Sequence, residues 1–160
     1  KDLSGRITKE LVMKKAALFT GALVRTGVPR PSILLTALNP HAGDGGLLGN
    51  EEIRVLGPAV EALRRQKMNI SGPLPTDAAW AAHLKGLFDG ILCLYHDQAL
   101  APLKLLPGGS RAVHWTWGLP FIRTSPAHGT AFDIAGRGKA DPASMIEAIL
   151  FAAKLAKIRK

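Results

Sequence analysis

Cysteine is almost absent from these 160 residues: Cys93 stands alone inside an apolar run. One thiol cannot build a disulfide framework within the chain, which favours a reducing compartment such as the cytoplasm. Long apolar stretches are missing as well. The longest, such as Gly90–Tyr95, fall far short of the ~20 residues that span a bilayer. Lys1-Asp2-Leu3-Ser4 lacks the apolar core of a signal peptide. No HExxH, GxSxG, GxGxxG or P-loop Gly-Lys-Ser/Thr occurs. Nothing therefore supports a compact zinc motif, a serine-nucleophile hydrolase, or phosphate binding by either glycine fingerprint. Acidic residues are few, 12 against 21 Lys and Arg, for a formal charge of +9. That balance invites a nucleic-acid reading. Much of the excess, however, gathers at the ends: Lys1, Arg6, Lys9, Lys14, Lys15, Lys154, Lys157, Arg159 and Lys160. Helical spacing puts most of these on solvent faces, and no aromatic residues interleave there to stack bases. We read them as solubilising charge, with neither nucleic acid nor membrane as partner.

What is present is ordinary globular composition, 47% hydrophobic and 21% charged, long enough for one α/β segment with a real core. No initiator methionine opens the chain, and a helix begins almost at once, which suggests a start in mid-protein. Thr8 can cap that helix, in which Leu11, Val12, Lys15, Leu18, Phe19 and Leu23 recur at helical spacing until Gly27 and Pro29. Ser32–Asn39 reads as a buried strand, followed by a glycine-rich loop, Pro40–Gly49. Asn50 caps a helix running to about Lys67, with Glu51 and Glu52 in its first turn. Gly72-Pro73-Leu74-Pro75 reads as a loop, and Thr76 or Asp77 caps a short helix to about Gly86. Gly90–Tyr95 is a second strand, and Ala112–Trp117 and Pro120–Thr124 are further strand material. Pro142 starts a last helix with Ile146, Ile149, Leu150 and Leu155 on one face. The alternation predicts an α/β layered sheet with helices on both faces.

In such sheets ligands gather beyond the carboxyl ends of the strands. Asn39-Pro40-His41 follows the first strand, His96-Asp97-Gln98 the second, and Arg123-Thr124-Ser125 a later one. Neutral imidazoles at equivalent strand ends, His41 and His96, suit Zn, Co or Mn. The alternative for each is a hydrogen-bonded structural histidine. Asp97 could orient a ligand or move a proton. Lys104 and Arg123 lie in apolar sequence, as partly buried cations suited to a phosphate or carboxylate, or to an internal salt bridge. Gly43-Asp44-Gly45-Gly46 precedes a helix, yet Asp44, Glu51 and Glu52 would repel an anion. A structural turn is the better reading there.

Six blocks occur in one order: Leu38–Gly46, Gly49–Ile53, Gly72–Asp77, Tyr95–Gln98, Gly118–Ser125, and His128–Ala131 through Ala135–Asp141. In this series the chain resembles the 4-hydroxythreonine-4-phosphate dehydrogenase family over nearly its whole length. The resemblance implies the C-terminal part of a longer two-domain dehydrogenase, isocitrate/isopropylmalate dehydrogenase-like and not Rossmann. It implies NAD-dependent oxidation of 4-phosphohydroxy-L-threonine with decarboxylation to 3-amino-2-oxopropyl phosphate, in pyridoxal phosphate biosynthesis, by a homodimer with a shared active site.

The family's divalent metal (Zn, Mg, Co or Mn) is held by three histidines. His41 and His96 match two of them, and the third lies upstream of the segment matching Lys1. On this reading the 160-residue chain alone is expected to be inactive. Asp97 and Lys104 take catalytic roles, Lys104 and Arg123 match substrate-binding positions, and His114 stands where the family commonly has a substrate-binding Asn. That departure leaves a related phosphorylated hydroxy acid, such as 4-phosphoerythronate or 4-phosphothreonate, as the alternative substrate. A non-catalytic anion-binding or assembly domain is the alternative from another class. The His128–Asp141 stretch is similar to the NAD loop of isopropylmalate and isocitrate dehydrogenases. This implies Gly129, Thr130, Ala131, Asp133 and Asp141 along the cofactor. Asp133 would then face the adenosine ribose, where a carboxylate repels the 2′-phosphate of NADP.

Overall fold

The computed structural model describes residues 2–158; Lys1, Arg159 and Lys160, counted above among the solvent charges, lie outside them. The chain divides into two compact units, one ending at Ala99 and one beginning at Leu100.

In the first unit Thr8 caps helix α1 (Lys9–Arg25), its hydroxyl accepting from the Leu11 N–H at 3.2 Å. The buried stripe is narrower than the spacing predicts. Val12 and Ala16 are buried and Phe19 and Leu23 pack against the core, whereas Leu11 and Leu18 are exposed. Strand β1 (Ile33–Thr36) is buried throughout and lies between two parallel neighbours, β2 (Ile70–Leu74) and β3 (Gly90–Leu92). Ile33 and Leu35 join Val12, Leu56, Val60 and Leu63 in the main core. Leu34 and Thr36 alternate to the opposite face, where α3 (Thr76–Leu84) packs on β1 and β3. Burying each such Leu or Ile stabilises by about 1.5–3 kcal/mol. A parallel sheet flanked by helices is the α/β architecture that the alternation predicts.

Three local expectations are corrected. Gly72-Pro73-Leu74-Pro75 reads as a loop because Gly72 and Pro73 are turn signals, yet Gly72–Leu74 belong to β2. The strand is a sheet edge with a register shift opposite Leu35. There Gly72, at φ +107°, passes so close to the Leu35 carbonyl that a Cβ would collide with it, so glycine serves the bulge. The helix expected from Asn50 instead opens as a π-helical turn, Glu52–Leu56, and becomes α2 (Gly57–Arg65) without a side-chain cap. Thr76 and Asp77 do not cap α3 with their side chains either; Thr76 is already its first residue.

Helix α4 (His96–Leu105) follows β3. In the second unit β4 (Val113–Thr116) pairs antiparallel with β5 (Arg123–Pro126), and α5 (Ala143–Lys157) packs on both. Trp115 meets Phe151 edge-on at 5.5 Å, and the Thr124 hydroxyl donates to the Ala148 carbonyl at 2.9 Å. The buried face of α5 is therefore Ser144, Ala148 and Leu155. Ile146, Ile149 and Leu150, expected to share a buried face with Leu155, are half or more exposed. Their stripe is offset around the helix from the one the hairpin covers. Of the end cations, Arg6, Lys14, Lys15, Lys154 and Lys157 are exposed and Lys9 is half-buried. No described helix is long and apolar enough to cross a membrane.

Candidate active site

The chain leaving β1 turns left-handed. His41, Ala42, Gly43, Asp44 and Gly45 all have positive φ, from 43° to 81°. For L residues that conformation costs about 1–2 kcal/mol each, so His41, Ala42 and Asp44 must be held there. Glu52 does much of the holding. One of its carboxylate oxygens accepts from the backbone N–H groups of Leu38 at 2.8 Å and Asn39 at 2.9 Å. The other accepts from the Asn39 side-chain amide at 2.8 Å. A Cβ on Gly43 would come within 2.8 Å of this carboxylate, so only glycine lets the turn close over it. Burial works against the Glu52 charge, but the hydrogen bonds from the Asn39 backbone and side chain and the Leu38 N–H outweigh it, and its pKa is lowered. His41 is carried outward, exposed, with no hydrogen bond to its ring among the described residues.

His96 opens α4 directly beyond β3, the neighbour of β1. Its Nδ1 lies 2.7 Å from an Asp97 carboxylate oxygen. An ionised carboxylate only accepts, so Nδ1 carries the proton and a neutral ring leaves Nε2 with its lone pair free. That is the tautomer needed by a ligand that binds a metal through Nε2. Next to it Gln98 is buried, 4% exposed, and its amide spans the two strand ends. Its oxygen accepts from the Thr36 hydroxyl at 2.8 Å and the Leu94 N–H at 2.9 Å, and its nitrogen donates to the Ala37 carbonyl at 2.6 Å.

Beyond these strand ends opens a cleft of about 390 Å³, lined by Asn39, His41, Thr76, Asp77, Tyr95 and Gln98 among others. Of these lining residues only His41 stands out in the sequence as a site residue; Thr76, Asp77, Tyr95, Gln98 and the brace Glu52 emerge from the fold. Tyr95 and Gln98 flank His96-Asp97, and a polar residue directly after a buried strand was the available signal. In donor type the two histidines suit a divalent ion. No group of three or more His, Cys, Asp or Glu able to hold a metal forms among the described residues. Cys93 adds nothing: burial pushes its thiol up to about 11, so no thiolate is available near neutral pH.

The second unit carries the remaining candidates. Lys104 and Arg123 are not partly buried cations at strand ends, as their apolar sequence neighbours suggested. Lys104 is exposed in the last turn of α4, and Arg123 is exposed at the start of β5, in a separate antiparallel sheet. Only two of the three expected strand ends therefore belong to one parallel sheet. Thr116 pairs with Arg123 and His114 with Ser125 across the hairpin, so these four share the face turned away from Trp115 and Thr124. The Arg123 guanidinium donates to the Thr116 hydroxyl at 2.9 Å. A second cleft, about 590 Å³, is lined by His128, Gly129, Thr130, Ala131 and Asp141 among others. Four of the five proposed cofactor residues thus border one cavity. Asp133 stands exposed on the adjoining 3-10 turn Phe132–Ile134, and one Asp141 oxygen is engaged by the Ala143 N–H at the start of α5.

The family described as pyridoxal phosphate biosynthetic protein PdxA matches residues 1–152. The chain belongs to this family. The 4-hydroxythreonine-4-phosphate dehydrogenase of Caulobacter vibrioides is 49% identical over 156 residues, covering 96% of this chain and 46% of that protein. The crystal structure of the Klebsiella pneumoniae 4-hydroxythreonine-4-phosphate dehydrogenase matches with TM-score 0.86 and 42% identity, over 98% of this chain and 47% of that one. A terephthalate 1,2-cis-dihydrodiol dehydrogenase from Burkholderia xenovorans LB400 matches with TM-score 0.73 and 32% identity, over 94% and 48% of the two chains. The chain spans about half the length of the curated relatives it matches.

Proposed function

We propose that this chain forms part of an NAD-dependent, divalent-metal-assisted dehydrogenase. Its substrate is 4-phosphohydroxy-L-threonine, and loss of CO2 gives 3-amino-2-oxopropyl phosphate for pyridoxal phosphate biosynthesis. The observation that carries the reading is the pair His41 and His96 beyond adjacent parallel strands, with Asp97 fixing the His96 tautomer. A divalent ion held there would acidify a bound hydroxyl and stabilise negative charge developing on its oxygen. NAD bound along Gly129, Thr130, Ala131 and Asp141 would accept the hydride. With two ligands on this chain, the site is completed elsewhere in the assembled protein, as in a homodimer sharing its active sites.

The chain's own residues have separable tasks. Asp97 keeps the His96 Nδ1 proton and so directs Nε2 outward. Lys104 and Arg123, exposed cations without an ion pair among the described residues, can bind substrate phosphate or carboxylate. Arg123 engages two oxygens at once, and Lys104 can also return a proton. His114 shares the Arg123 face and reaches the same ligand.

His114 also favours a second reading. An imidazole at that position, between neighbours that include Trp115 and Trp117, changes the hydrogen bonds offered to the substrate's polar end. A related phosphorylated hydroxy acid, 4-phosphoerythronate or 4-phosphothreonate, then becomes the substrate. Following NADH absorbance with the complete protein, a divalent metal and each of the three acids separates the readings. The first requires the highest kcat/KM on 4-phosphohydroxythreonine and loss of the signal on chelation. A preference for either other acid selects the second, and no NADH from any of the three refutes both.

A further inference from the structure

We propose that Asn39 is a substrate-contacting residue that recognises an amino group: its side-chain carbonyl oxygen, together with the Asp77 carboxylate, accepts N–H bonds from the substrate in the cleft beyond β1. The proposal rests on reading the chain as part of a dehydrogenase of phosphorylated hydroxy acids, and it names the group by which this cleft tells such acids apart. Asn39 stands directly before the left-handed turn, where an Asn side-chain oxygen ordinarily accepts from the first backbone N–H groups of a helix. Here it makes no such bond. The amide nitrogen is engaged elsewhere. It donates to a Glu51 carboxylate oxygen at 2.7 Å and to a Glu52 carboxylate oxygen at 2.8 Å, so both of its hydrogens are used.

The orientation of this amide follows from its partners. Ionised carboxylates only accept, so turning the amide over would set its oxygen against two negative charges. Gly49 lies so close to the amide that a Cβ there would collide with it, so the side chain is held on that face as well. The oxygen is then the one polar atom of the Asn39 side chain without a partner among the described residues. It is open to solvent, since no buried side-chain N or O among the described residues lacks a hydrogen bond. Asn39 lines the cleft of about 390 Å³ beside His41. An acceptor of fixed direction thus stands unused in a residue of the cleft wall.

The rest of the wall decides what such an acceptor is for. His41, Thr76, Asp77, Tyr95 and Gln98 supply the other polar side chains, and neither Lys nor Arg lines the cleft. The Gln98 amide is spent within the fold. Asp77 is exposed, and its carboxylate has no hydrogen bond or ion pair among the described residues. Two acceptors without a cation disfavour a phosphate or carboxylate and suit a donor, best of all a positively charged one. Of the three acids named above, 4-phosphohydroxythreonine alone carries an amino group, an ammonium near neutral pH. The other two have a hydroxyl in its place, which offers one hydrogen and no charge. A site whose polar groups are set to bond one substituent discriminates against the analogue that lacks it. Asn39 and Asp77 therefore set the preference for the amino substrate.

The test measures binding of 4-phosphohydroxythreonine and of 4-phosphothreonate to the complete protein by titration calorimetry, with a divalent metal present and NAD left out. Wild type should bind the amino compound more tightly. Asn39→Ala should weaken the amino compound by about 10–100-fold more than the hydroxy compound, as loss of one hydrogen bond to a charged group would. Asp77→Asn should narrow the same preference. A purely structural role, through the turn that Asn39 clamps, would weaken both compounds alike. Equal losses in a folded Asn39→Ala protein therefore overturn the proposal and leave the dehydrogenase reading standing. If Asn39→Ala does not fold, an unchanged preference in Asp77→Asn overturns it instead. A wild type that prefers 4-phosphothreonate also overturns it and selects the alternative substrate. A wild type that binds neither compound takes the dehydrogenase reading down with it.

Discussion

Replacing Glu52 with Gln keeps the shape of a buried side chain and removes what the left-handed turn depends on. The carboxylate accepts three hydrogen bonds, two from the Leu38 and Asn39 backbone and one from the Asn39 amide. In Glu52→Gln the remaining carbonyl oxygen can still take the two backbone N–H groups, but as a neutral acceptor. The new amide nitrogen would meet the Asn39 nitrogen donor to donor, and Asn39 cannot turn over without losing its bond to Glu51 at 2.7 Å. Bonds to a charged acceptor contribute about 1.5–3 kcal/mol and neutral ones about 0.5–1.5 kcal/mol, so two bonds weakened by about 1 kcal/mol each and one lost at about 2 kcal/mol cost about 4 kcal/mol. Amide exchange at Leu38 and Asn39, whose N–H groups are the donors, should accelerate by about 1,000-fold at neutral pH. The lowered pKa of Glu52 adds a pH signature. Its contribution is complete above the ordinary glutamate value near 4.5 and is lost as pH falls through the lower folded value. Wild type should therefore shed part of its melting temperature on acidification that Glu52→Gln does not. Unchanged exchange at Leu38 and Asn39, or parallel acid limbs in the two proteins, would refute the reasoning.

The other predictions concern ligands of the complete protein. His41→Ala and His96→Ala should each abolish turnover and lower bound divalent metal by at least about 10–100-fold; normal metal content by elemental analysis would strike these residues from the ligand list. Lys104→Met and Arg123→Met should each weaken substrate by about 1.5–3 kcal/mol, the worth of one charged hydrogen bond, with NAD affinity nearly unchanged in titration calorimetry. A collapse of NAD binding would assign them to the wrong ligand. Asp133→Asn should narrow the ratio of kcat/KM for NAD over NADP by removing charge repulsion, and a wild-type enzyme that already prefers NADP would contradict the placement of Asp133.

The α/β layering, the buried β1, the Thr8 cap and the strand-end histidines were legible because each is written in local chemistry: an apolar run, a hydroxyl before a helix, a polar residue after a strand. β2 was not, because Gly72 and Pro73 signal a turn and an edge-strand bulge with the same residues. The buried side of α5 was not, because the helix is apolar around more of its circumference than one packed face. Ser144 lies on that face only through a hydroxyl that donates to the Ala112 carbonyl at 2.7 Å. Lys104 and Arg123 were misjudged because apolar neighbours in sequence do not bury a cation whose own side chain leaves the helix or strand toward solvent. The sharpest divide runs between the residues that would do chemistry and those that hold them. His41 and His96 announce themselves by type and position. Glu52 reaches back 13 residues to Asn39, and Gln98 reaches back 61 to Ala37. No periodicity or spacing rule links such pairs, since a left-handed loop separates the first and several helices and strands the second. What the sequence does contain is the demand: a left-handed run with three non-glycine residues, and two strand ends that part before their histidines, each need a buried polar partner.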